Sequence, residues 1–379
     1  MTDPQVLPPR PTPTRPRWWK SPLFLLLLLT PGIPEYLTGS SSATAIALNP
    51  AGFALQLALN AALYTAGALL IREAVVRWKK GWASVLLLGA AYGIAEEGLA
   101  VHTFFEAGGS PVGILGAYGR LFGVNWVWVS GLTVFHAVYS IALPLLILGL
   151  VYPETKGRPL VGTRGLRLAA IAFVADVVLL SILVGSHPDA AQTLFFLAVV
   201  GVLVALAYRA PAGLLAPRPG ASKTSPTRLA ILGGSWFPLW IVAGSILPFT
   251  RLPPVLDAAV LAAGELAILG LVGRGIGRDD AEWSALAFAT GLIAILVPWE
   301  VLLVVASDPL ALVLGILSVV GLVLLRPSVR ARSHPPQIPF GVFPPESPVG
   351  AEPGRSGWNA ASRVPARGGN GREMRRGDV

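Results

Sequence analysis

Long apolar runs, separated by short polar connections, dominate the chain. Each run holds about 20 residues, which as an α-helix would cross the roughly 30 Å hydrocarbon core of a bilayer. The pattern therefore predicts an all-α, polytopic transmembrane helix bundle of about ten spans within residues 21–325. The predicted helices lie near 21–37, 51–71, 82–104, 124–151, 168–186, 191–208, 229–248, 254–273, 283–306 and 308–325.

The two ends of the chain and one internal loop differ from the apolar runs in composition. Residues 1–20 are Pro-rich and basic, and residues 326–379 are rich in Arg, Pro and Gly, so both are predicted to be disordered tails. The Pro-rich loop 209–227 divides six helices from four within one membrane domain. The first apolar run also resembles a secretory signal peptide. An uncleaved helix is favoured because no small-residue cleavage motif follows it.

The composition excludes several classes of protein. Hydrophobic residues make up 54% of the chain and charged residues only 13%, against about 25% charged residues in soluble domains. An ordinary soluble enzyme and a nucleic-acid-binding module are therefore excluded. Because the chain has no cysteine, disulfides, thiolate metal sites and cysteine nucleophiles are excluded as well.

The distribution of basic residues predicts the orientation of the bundle. All Lys and Arg residues except Arg120 and Arg251 lie in the tails or near the connections that follow the second, fourth, sixth and eighth helices. Cytoplasmic loops retain Lys and Arg, so a plasma-membrane protein with both termini in the cytoplasm is predicted. The lipid bilayer is then the expected partner. Arginines of the C-terminal tail could contact anionic lipids, and a solvated tail is the alternative.

Ionisable groups inside a membrane are costly, and the third and fourth predicted helices carry three of them. Glu96 and Glu97 are adjacent in the third helix, and His136 lies in the fourth. Adjacent helical residues point about 100° apart, so both carboxylates are expected to face the bundle interior rather than lipid. Two carboxylates and an imidazole can activate a water or relay protons, whereas simple interhelical hydrogen bonding is the alternative.

The depth of these groups predicts a common site. At about 1.5 Å per residue, Glu96 and Glu97 lie roughly 10–14 Å below the outer end of their helix, and His136 about 18 Å below it. Asn60 and Asp176 fall at a similar level. We therefore predict a buried polar site in the outer half of helices two to five, with Glu96, Glu97, His136 and Asp176 as catalytic residues. A salt bridge from Asp176 to a cytoplasmic arginine is the alternative for that residue.

Further polar residues are candidates for binding a substrate. Pro298 interrupts the ninth helix close to one such residue, Glu300. Transporters that are built from inverted repeats have broken helices of this kind at their substrate sites. An ordinary kink is the alternative. We expect no metal and no cofactor, because there is no H-E-x-x-H motif and only two histidines lie within the membrane. The predicted substrate-binding residues are Asn60, His102, Asn125, Glu265 and Glu300.

The spacing of Glu96-Glu97 and His136 resembles the motifs of the CAAX-protease and bacteriocin-processing family of membrane proteins. That family has Glu-Glu-x-x-x-Arg, then Phe-x-x-x-His, then a His-x-x-x-Asn-like motif. The resemblance implies that Glu96 activates a water, that Glu97 is its partner and that His136 is the second-motif histidine. Val101 stands at the Arg position and Leu132 at the Phe position, and Asp176 would substitute for the third motif.

Three functions follow as hypotheses. The number of spans and the buried acids favour a proton-coupled transporter of small solutes, which should also need Glu265 or Glu300. An intramembrane hydrolase using Glu96 and His136 is the alternative, and a non-enzymatic membrane scaffold is the second alternative. The substrate, a small molecule or a peptide, is not identified by the sequence.

Overall fold

The computed structural model describes residues 20–107, 117–184, 187–217, 224–250, 252–277 and 280–333, and the predicted tail segments 1–19 and 334–379 lie outside these residues. Ten long helices form the described chain. They are α1 (Pro22–Leu37), α2 (Ala51–Arg77), α3 (Trp82–Ala100), α4 (Trp126–Val151), α5 (Thr163–Leu183), α6 (Ala190–Arg209), α7 (Pro226–Thr250), α8 (Pro254–Gly275), α9 (Ala281–Val305) and α10 (Pro309–Ser333).

The helices confirm the predicted all-α bundle. Within the described ranges, nine helices are long and apolar enough to cross a membrane, and only α1 is shorter. Pro31 does not end α1, because the helix continues through it as a π-helical turn, Gly32–Leu37. Two-residue strands β1 (Arg120–Leu121) and β2 (Val124–Asn125) form a small antiparallel hairpin before α4.

The last helix is longer than the sequence predicts. We expected the membrane region to end at residue 325 and a disordered tail to start at 326, but α10 continues through Pro327 to Ser333. Tertiary contacts stabilise these extra turns. The Val329 side chain is fully buried, and Arg332 donates to a Glu282 carboxylate oxygen at 2.8 Å and to the Leu150 carbonyl at 2.8 Å.

Alternating helix directions give the bundle two different ends. One end, which we call the basic face, holds the connections α2–α3, α4–α5, α6–α7 and α8–α9. At this end Arg72 donates to the carbonyls of Thr155 and Arg158 at 2.6 and 2.9 Å. We call the opposite end the site face. On it, Tyr118 donates to the Leu252 carbonyl at 2.8 Å and so joins two connections.

Asp308, in the connection between α9 and α10, fixes the site face. Its carboxylate accepts from the Ala43 and Thr44 amides at 3.0 and 2.9 Å and from the Thr44 hydroxyl at 2.7 Å. Burial disfavours the charged form of Asp308, but these hydrogen bonds outweigh it and hold the pKa of the carboxyl below its usual range. The contact ties the start of a short helix, Ala43–Ala47, to the start of α10.

Helices α3 and α4 form the centre of the bundle. In their most apolar stretches, 72% and 67% of the residues are buried, against 11% in both α5 and α6. The apolar side chains of α5 and α6 therefore face outward, as expected of lipid-facing helices. The apolar core of α3 and α4 continues on one side into α1 and α2 and on the other into α7 to α10.

Two glycines let α3 and α4 approach closely. A Cβ added to Gly89 would lie 2.8 Å from the Ala137 Cα, and one added to Gly93 would lie 2.9 Å from the His136 Cβ. Gly89 and Gly93 are four residues apart and lie on one face of α3, the small-xxx-small spacing of close membrane-helix contacts. This contact brings the backbone of His136 next to the helix that carries both glutamates.

Candidate functional site

Helices α1 to α4 each contain a π-helical turn. These turns are Gly32–Leu37, Ala61–Thr65, Ala95–Ala100 and His136–Ala142. Single π turns inside α-helices are rare and often occur at functional sites. Every one of these four turns carries an ionisable side chain that faces the same region, namely Glu35, Tyr64, Glu96 with Glu97, and His136.

His136 lies between the two carboxylates of α3. Its Nε2 is 2.8 Å from Glu97 Oε1, and its Nδ1 is 2.8 Å from the Ser140 hydroxyl oxygen and 3.1 Å from Glu96 Oε2. This pattern fits the tautomer in which Nε2–H donates to Glu97 while Nδ1 accepts from Ser140. Glu97 and Ser140 thus fix the orientation of the ring, and all three ionisable side chains are at least nine-tenths buried as residues.

The two carboxylate oxygens of Glu96 have different surroundings. Its Oε1 accepts from the Tyr64 hydroxyl, whereas Oε2 is buried and makes no hydrogen bond with any residue in the described ranges. A buried carboxylate oxygen without a donor is energetically costly. Glu96 Oε2 is therefore placed to accept a proton from a bound water or to bind a ligand.

Tyr64 links this group to a third carboxylate. Its hydroxyl contacts both Glu96 Oε1 and Glu35 Oε1, although a phenol carries a single proton. The Tyr64 hydroxyl can therefore donate to only one of these two oxygens at a time. The Ser41 hydroxyl donates to the other oxygen of Glu35 at 2.5 Å, so the hydrogen-bonded chain reaches the connection at the site face.

The network also continues beyond Glu97. The Thr103 hydroxyl donates to Glu97 Oε2, and Trp128 Nε1 donates to the Thr103 oxygen at 3.0 Å. Thr103 follows α3 directly, and Trp128 lies in the first turn of α4. Glu97 is therefore held on both of its oxygens and is a positioning residue rather than a free acceptor.

These groups lie at one wall of a cavity of about 450 Å³, which we call the site cavity. Its polar wall comprises Glu35, Asn60, Tyr64, Glu96, Glu97, His136 and Asp176. Aromatic side chains form another part of the lining, which we call the aromatic wall: Trp240 lies 5.8 Å from Trp128 and 6.1 Å from Phe237 between ring centroids, and Phe237 lies 5.6 Å from Trp299. No Lys or Arg of the described ranges lines this cavity.

The predicted residues Asn60 and Asp176 both line the site cavity with the two glutamates and His136. Asn60 donates to the Tyr36 hydroxyl at 2.8 Å and accepts from Gln56 at 2.9 Å. Asp176 is buried on α5, and its Oδ2 has no hydrogen-bond partner within the described chain. The sequence predicted that Asn60 and Asp176 lie at the same depth in the membrane as the two glutamates and His136, and in the structure all five residues line one cavity.

The other four predicted substrate-binding residues do not line the site cavity. The Asn125 side chain caps α4 by accepting from the Trp128 amide at 3.0 Å. His102 has a left-handed backbone (φ 58°) and lies 3.2 Å from the Ser181 hydroxyl. Glu265 is buried in α8, and Glu300 is fully buried in α9 against Gly315 of α10. The sequence pattern that suggested these four residues contains no direction around the helix axis, so it does not show which cavity a side chain faces.

Tyr64 and Glu35 line the site cavity but were not among the predicted site residues. A signal for Tyr64 was present, since it lies four residues after Asn60 and therefore on the same face of α2. Trp240 and Trp299 were not among the predicted site residues either, and both contribute to the aromatic wall of the site cavity. Their place there depends on how α7 and α9 pack against α4.

The Glu96, Glu97 and His136 group could also hold a divalent metal ion. One ligand atom from each residue can be chosen so that all three lie within 4.8 Å of one another. An imidazole with two carboxylates is a donor set that first-row transition metals accept. The unpaired Glu96 Oε2 provides a lone pair for such an ion without breaking an existing hydrogen bond.

Comparison with known proteins gives one match. The sequence pattern of an uncharacterized membrane protein family matches residues 24–342, a range that begins in the first turn of α1 and extends beyond the end of α10. No curated protein and no solved structure matches the chain.

Proposed function

The chain belongs to an uncharacterized membrane protein family, and we propose that this integral membrane protein is an intramembrane hydrolase with Glu96 as general base. One observation carries the proposal. A buried carboxylate oxygen without a hydrogen-bond partner, Glu96 Oε2, lies 3.1 Å from the ring of His136, at the wall of a cavity of about 450 Å³. A carboxylate oxygen that accepts no hydrogen bond and lies beside an oriented imidazole suits water activation.

The proposed reaction starts from a water bound at Glu96 Oε2. Glu96 accepts a proton from the water as the water oxygen forms a bond to the carbonyl carbon of the substrate. The proton then passes to the leaving group as the bond between that group and the carbonyl carbon breaks. Both ring nitrogens of His136 are engaged by Glu97 and Ser140, so His136 acts as a positioning residue, and its Nδ1 lies 3.1 Å from Glu96 Oε2.

The walls of the site cavity suggest a substrate with an apolar part. The resemblance to the CAAX-protease and bacteriocin-processing family points to the same chemistry, with Glu96 as the water-activating residue. Val101 and Leu132, where this chain departs from the motifs of that family, both line the site cavity. Because apolar side chains replace a guanidinium and a ring there, we expect substrate preferences that differ from those of that family.

The experiment is a search for hydrolysis products labelled by heavy water. The full chain in liposomes is incubated with a peptide and lipid extract in H₂¹⁸O, and products that gain ¹⁸O are identified by mass spectrometry. We expect wild-type protein to give labelled carboxylic acids and Glu96→Gln to lose about 10²–10⁴-fold in their rate of formation. A parallel sample treated with a chelator reports whether a metal ion takes part.

The matched control is Glu265→Gln, which makes the same chemical change at a buried carboxyl outside the site cavity. We expect this variant to keep the wild-type rate, and helicity and melting in detergent to match for all three proteins. Labelled products at an equal rate from wild type and Glu96→Gln would contradict the proposal. If the biological function of the protein survives every substitution in the site cavity, the hypothesis of a non-enzymatic membrane scaffold is favoured.

A second candidate, a proton-coupled transporter, is favoured by a second cavity. This basic-face cavity, of about 700 Å³, is lined by the connections of the basic face and by the inner halves of α3, α4 and α7 to α9. Tyr139 lies between the two cavities: it is fully buried, stacks on Phe135 at 5.1 Å and donates to the Leu292 carbonyl at 3.4 Å. Phe135 lines the first cavity and Leu292 the second.

Transport is distinguished by flux measurements in liposomes that contain a pH-sensitive dye. A transporter should show solute-dependent proton movement that Glu96→Gln abolishes and that Tyr139→Ala, by removing the barrier, makes leaky. The absence of flux in a protein that releases labelled products would leave the hydrolase alone. We further propose that the protein resides in the plasma membrane with its basic face and both termini in the cytoplasm, because basic residues are retained on that side.

A further inference from the structure

The basic-face cavity has the form of a site for a molecule with an apolar part and an anionic part. Its volume of about 700 Å³ lies within the range of ligand sites in proteins. Its mouth is formed by four connections, α2–α3, α4–α5, α6–α7 and α8–α9, so it opens toward the end where the basic residues concentrate. None of the residues of the catalytic network lines this cavity, so the inference is independent of the proposed hydrolysis.

The deep part of the cavity is apolar. Side chains from both halves of the bundle enclose it, and apart from the indole Nε1 of Trp236, which has no hydrogen-bond partner within the described ranges, they offer only apolar contacts. In a bilayer, such a crevice between helices is filled by acyl chains or by protein, because water there would lack partners. The lining at this depth includes Val85, Leu86, Leu143, Leu146, Leu269 and Phe288.

The mouth of the cavity is positively charged. Four basic residues line it, and the single acidic residue in the lining is Glu282. Arg72 is committed to Glu73 and to two carbonyls, and Lys156 contacts Glu282. Lys80 donates to the Ala210 carbonyl at 3.1 Å. The exposed Lys79, two residues after the end of α2, adds a further charge at the mouth.

We propose that the basic-face cavity binds one anionic phospholipid, with its phosphate at Lys79, Lys80 and Lys156 and an acyl chain along the apolar wall. Basic pockets between membrane helices bind anionic headgroups in this way. Trp82 supports the depth of the headgroup, because it also lines the mouth and indoles favour the membrane interface. A soluble phosphate ester would match the lysines but would leave the apolar wall without contacts.

Two substitutions separate the headgroup from the acyl chain. Lys79→Gln/Lys80→Gln removes charge from the mouth. Gly273→Leu fills the apolar part: a Cβ at Gly273 meets only Leu215, itself a lining residue, at 3.4 Å. Gly270→Leu is its matched control on α8, because a Cβ there meets nothing within 4 Å and Gly270 does not line the cavity.

The measurement is native mass spectrometry of the full chain in detergent, titrated with phosphatidylglycerol or with phosphatidylcholine that has the same acyl chains. We expect one tightly bound phosphatidylglycerol. Lys79→Gln/Lys80→Gln should weaken its binding about 25-fold, or about five-fold for each lysine, and leave phosphatidylcholine binding unchanged. Gly273→Leu should remove the tightly bound lipid of either type, and Gly270→Leu should bind as wild type does.

A charge control uses Arg164→Gln/Arg167→Gln at the start of α5, two exposed arginines that do not line the cavity. The proposal is overturned if this control weakens phosphatidylglycerol as much as the lysine variant does, or if the lysine variant binds it as wild type does. Displacement of the lipid by glycerol phosphate at equal concentration would assign the site to a soluble anion instead. If Gly273→Leu does not fold, the lysine variant and its control still decide the question.

Discussion

The close contact between α3 and α4 makes Gly93→Ala the most informative single substitution. The new Cβ would lie 2.9 Å from the His136 Cβ and 3.3 Å from the carbonyl oxygens of Leu132 and Thr133. None of these atoms belongs to the flexible end of a side chain, so α4 itself must move away. An outward shift of about 0.5–1 Å, which restores ordinary contact near 3.5–4 Å, would stretch the 2.8 Å contact between His136 and Glu97.

Overpacking of this kind costs about 1–3 kcal/mol, whereas alanine is favoured over glycine in a helix by about 1 kcal/mol. The control must therefore carry the same propensity gain. Gly201→Ala in α6 does, because a Cβ there meets nothing within 4 Å. We expect the free energy of unfolding of Gly93→Ala, measured by denaturant titration in mixed micelles, to fall about 1–3 kcal/mol below that of Gly201→Ala. Equal values for the two variants would refute the claim that glycine sets this contact.

Two further predictions concern buried carboxylates on α9, α10 and their connection. Asp308→Asn should lower the free energy of unfolding by about 1–3 kcal/mol at pH 7, because the Thr44 contact loses a charged acceptor. The pKa of Asp308 is lowered in the folded protein. The difference in stability between wild type and variant should therefore persist above about pH 3.9, the ordinary pKa of an aspartate, and shrink as the pH falls below it. A difference unchanged at pH 3 would contradict this. Gly315→Ala should destabilise the protein by about 1–3 kcal/mol, since its Cβ would lie 1.7 Å from Glu300 Oε2. The control Gly321→Ala on the same helix should not destabilise it. If the clash is the cause, combining Gly315→Ala with Glu300→Ala should recover the lost stability.

The shared depth of several polar residues in the membrane predicted the residues of the site better than the chemical type of any single residue did. Glu96, Glu97 and His136 were predicted together because charged groups in a bilayer need partners, and they do line one cavity with Asn60 and Asp176. Asn125, which was predicted as a substrate-binding residue, caps α4 instead. Depth follows from the fixed rise per residue of a helix, whereas the direction of a side chain depends on the rotation of each helix in the bundle.

The sequence by itself determined the number and class of the helices. Roughly 20 apolar residues must form a helix in lipid because every backbone hydrogen bond has to be made within the segment, and this requirement is local. It also determined where charge concentrates, since basic residues stay outside the hydrocarbon core. The end of α10 was not determined in this way: Arg332 extends it by contacts with Glu282 and with the Leu150 carbonyl, which are far away in the chain.

Tertiary structure alone decided how the site is assembled. The π turns of α1 to α4 and the glycine contact at Gly93 rotate Glu35, Tyr64, Glu96 and His136 toward one point. An α-helix and a helix with one π turn differ by a single inserted residue, which changes the direction of every later side chain while leaving the hydrophobic pattern nearly unchanged. Hydrophobicity therefore specifies that these helices span the membrane, and the packing between helices specifies which of their polar groups meet.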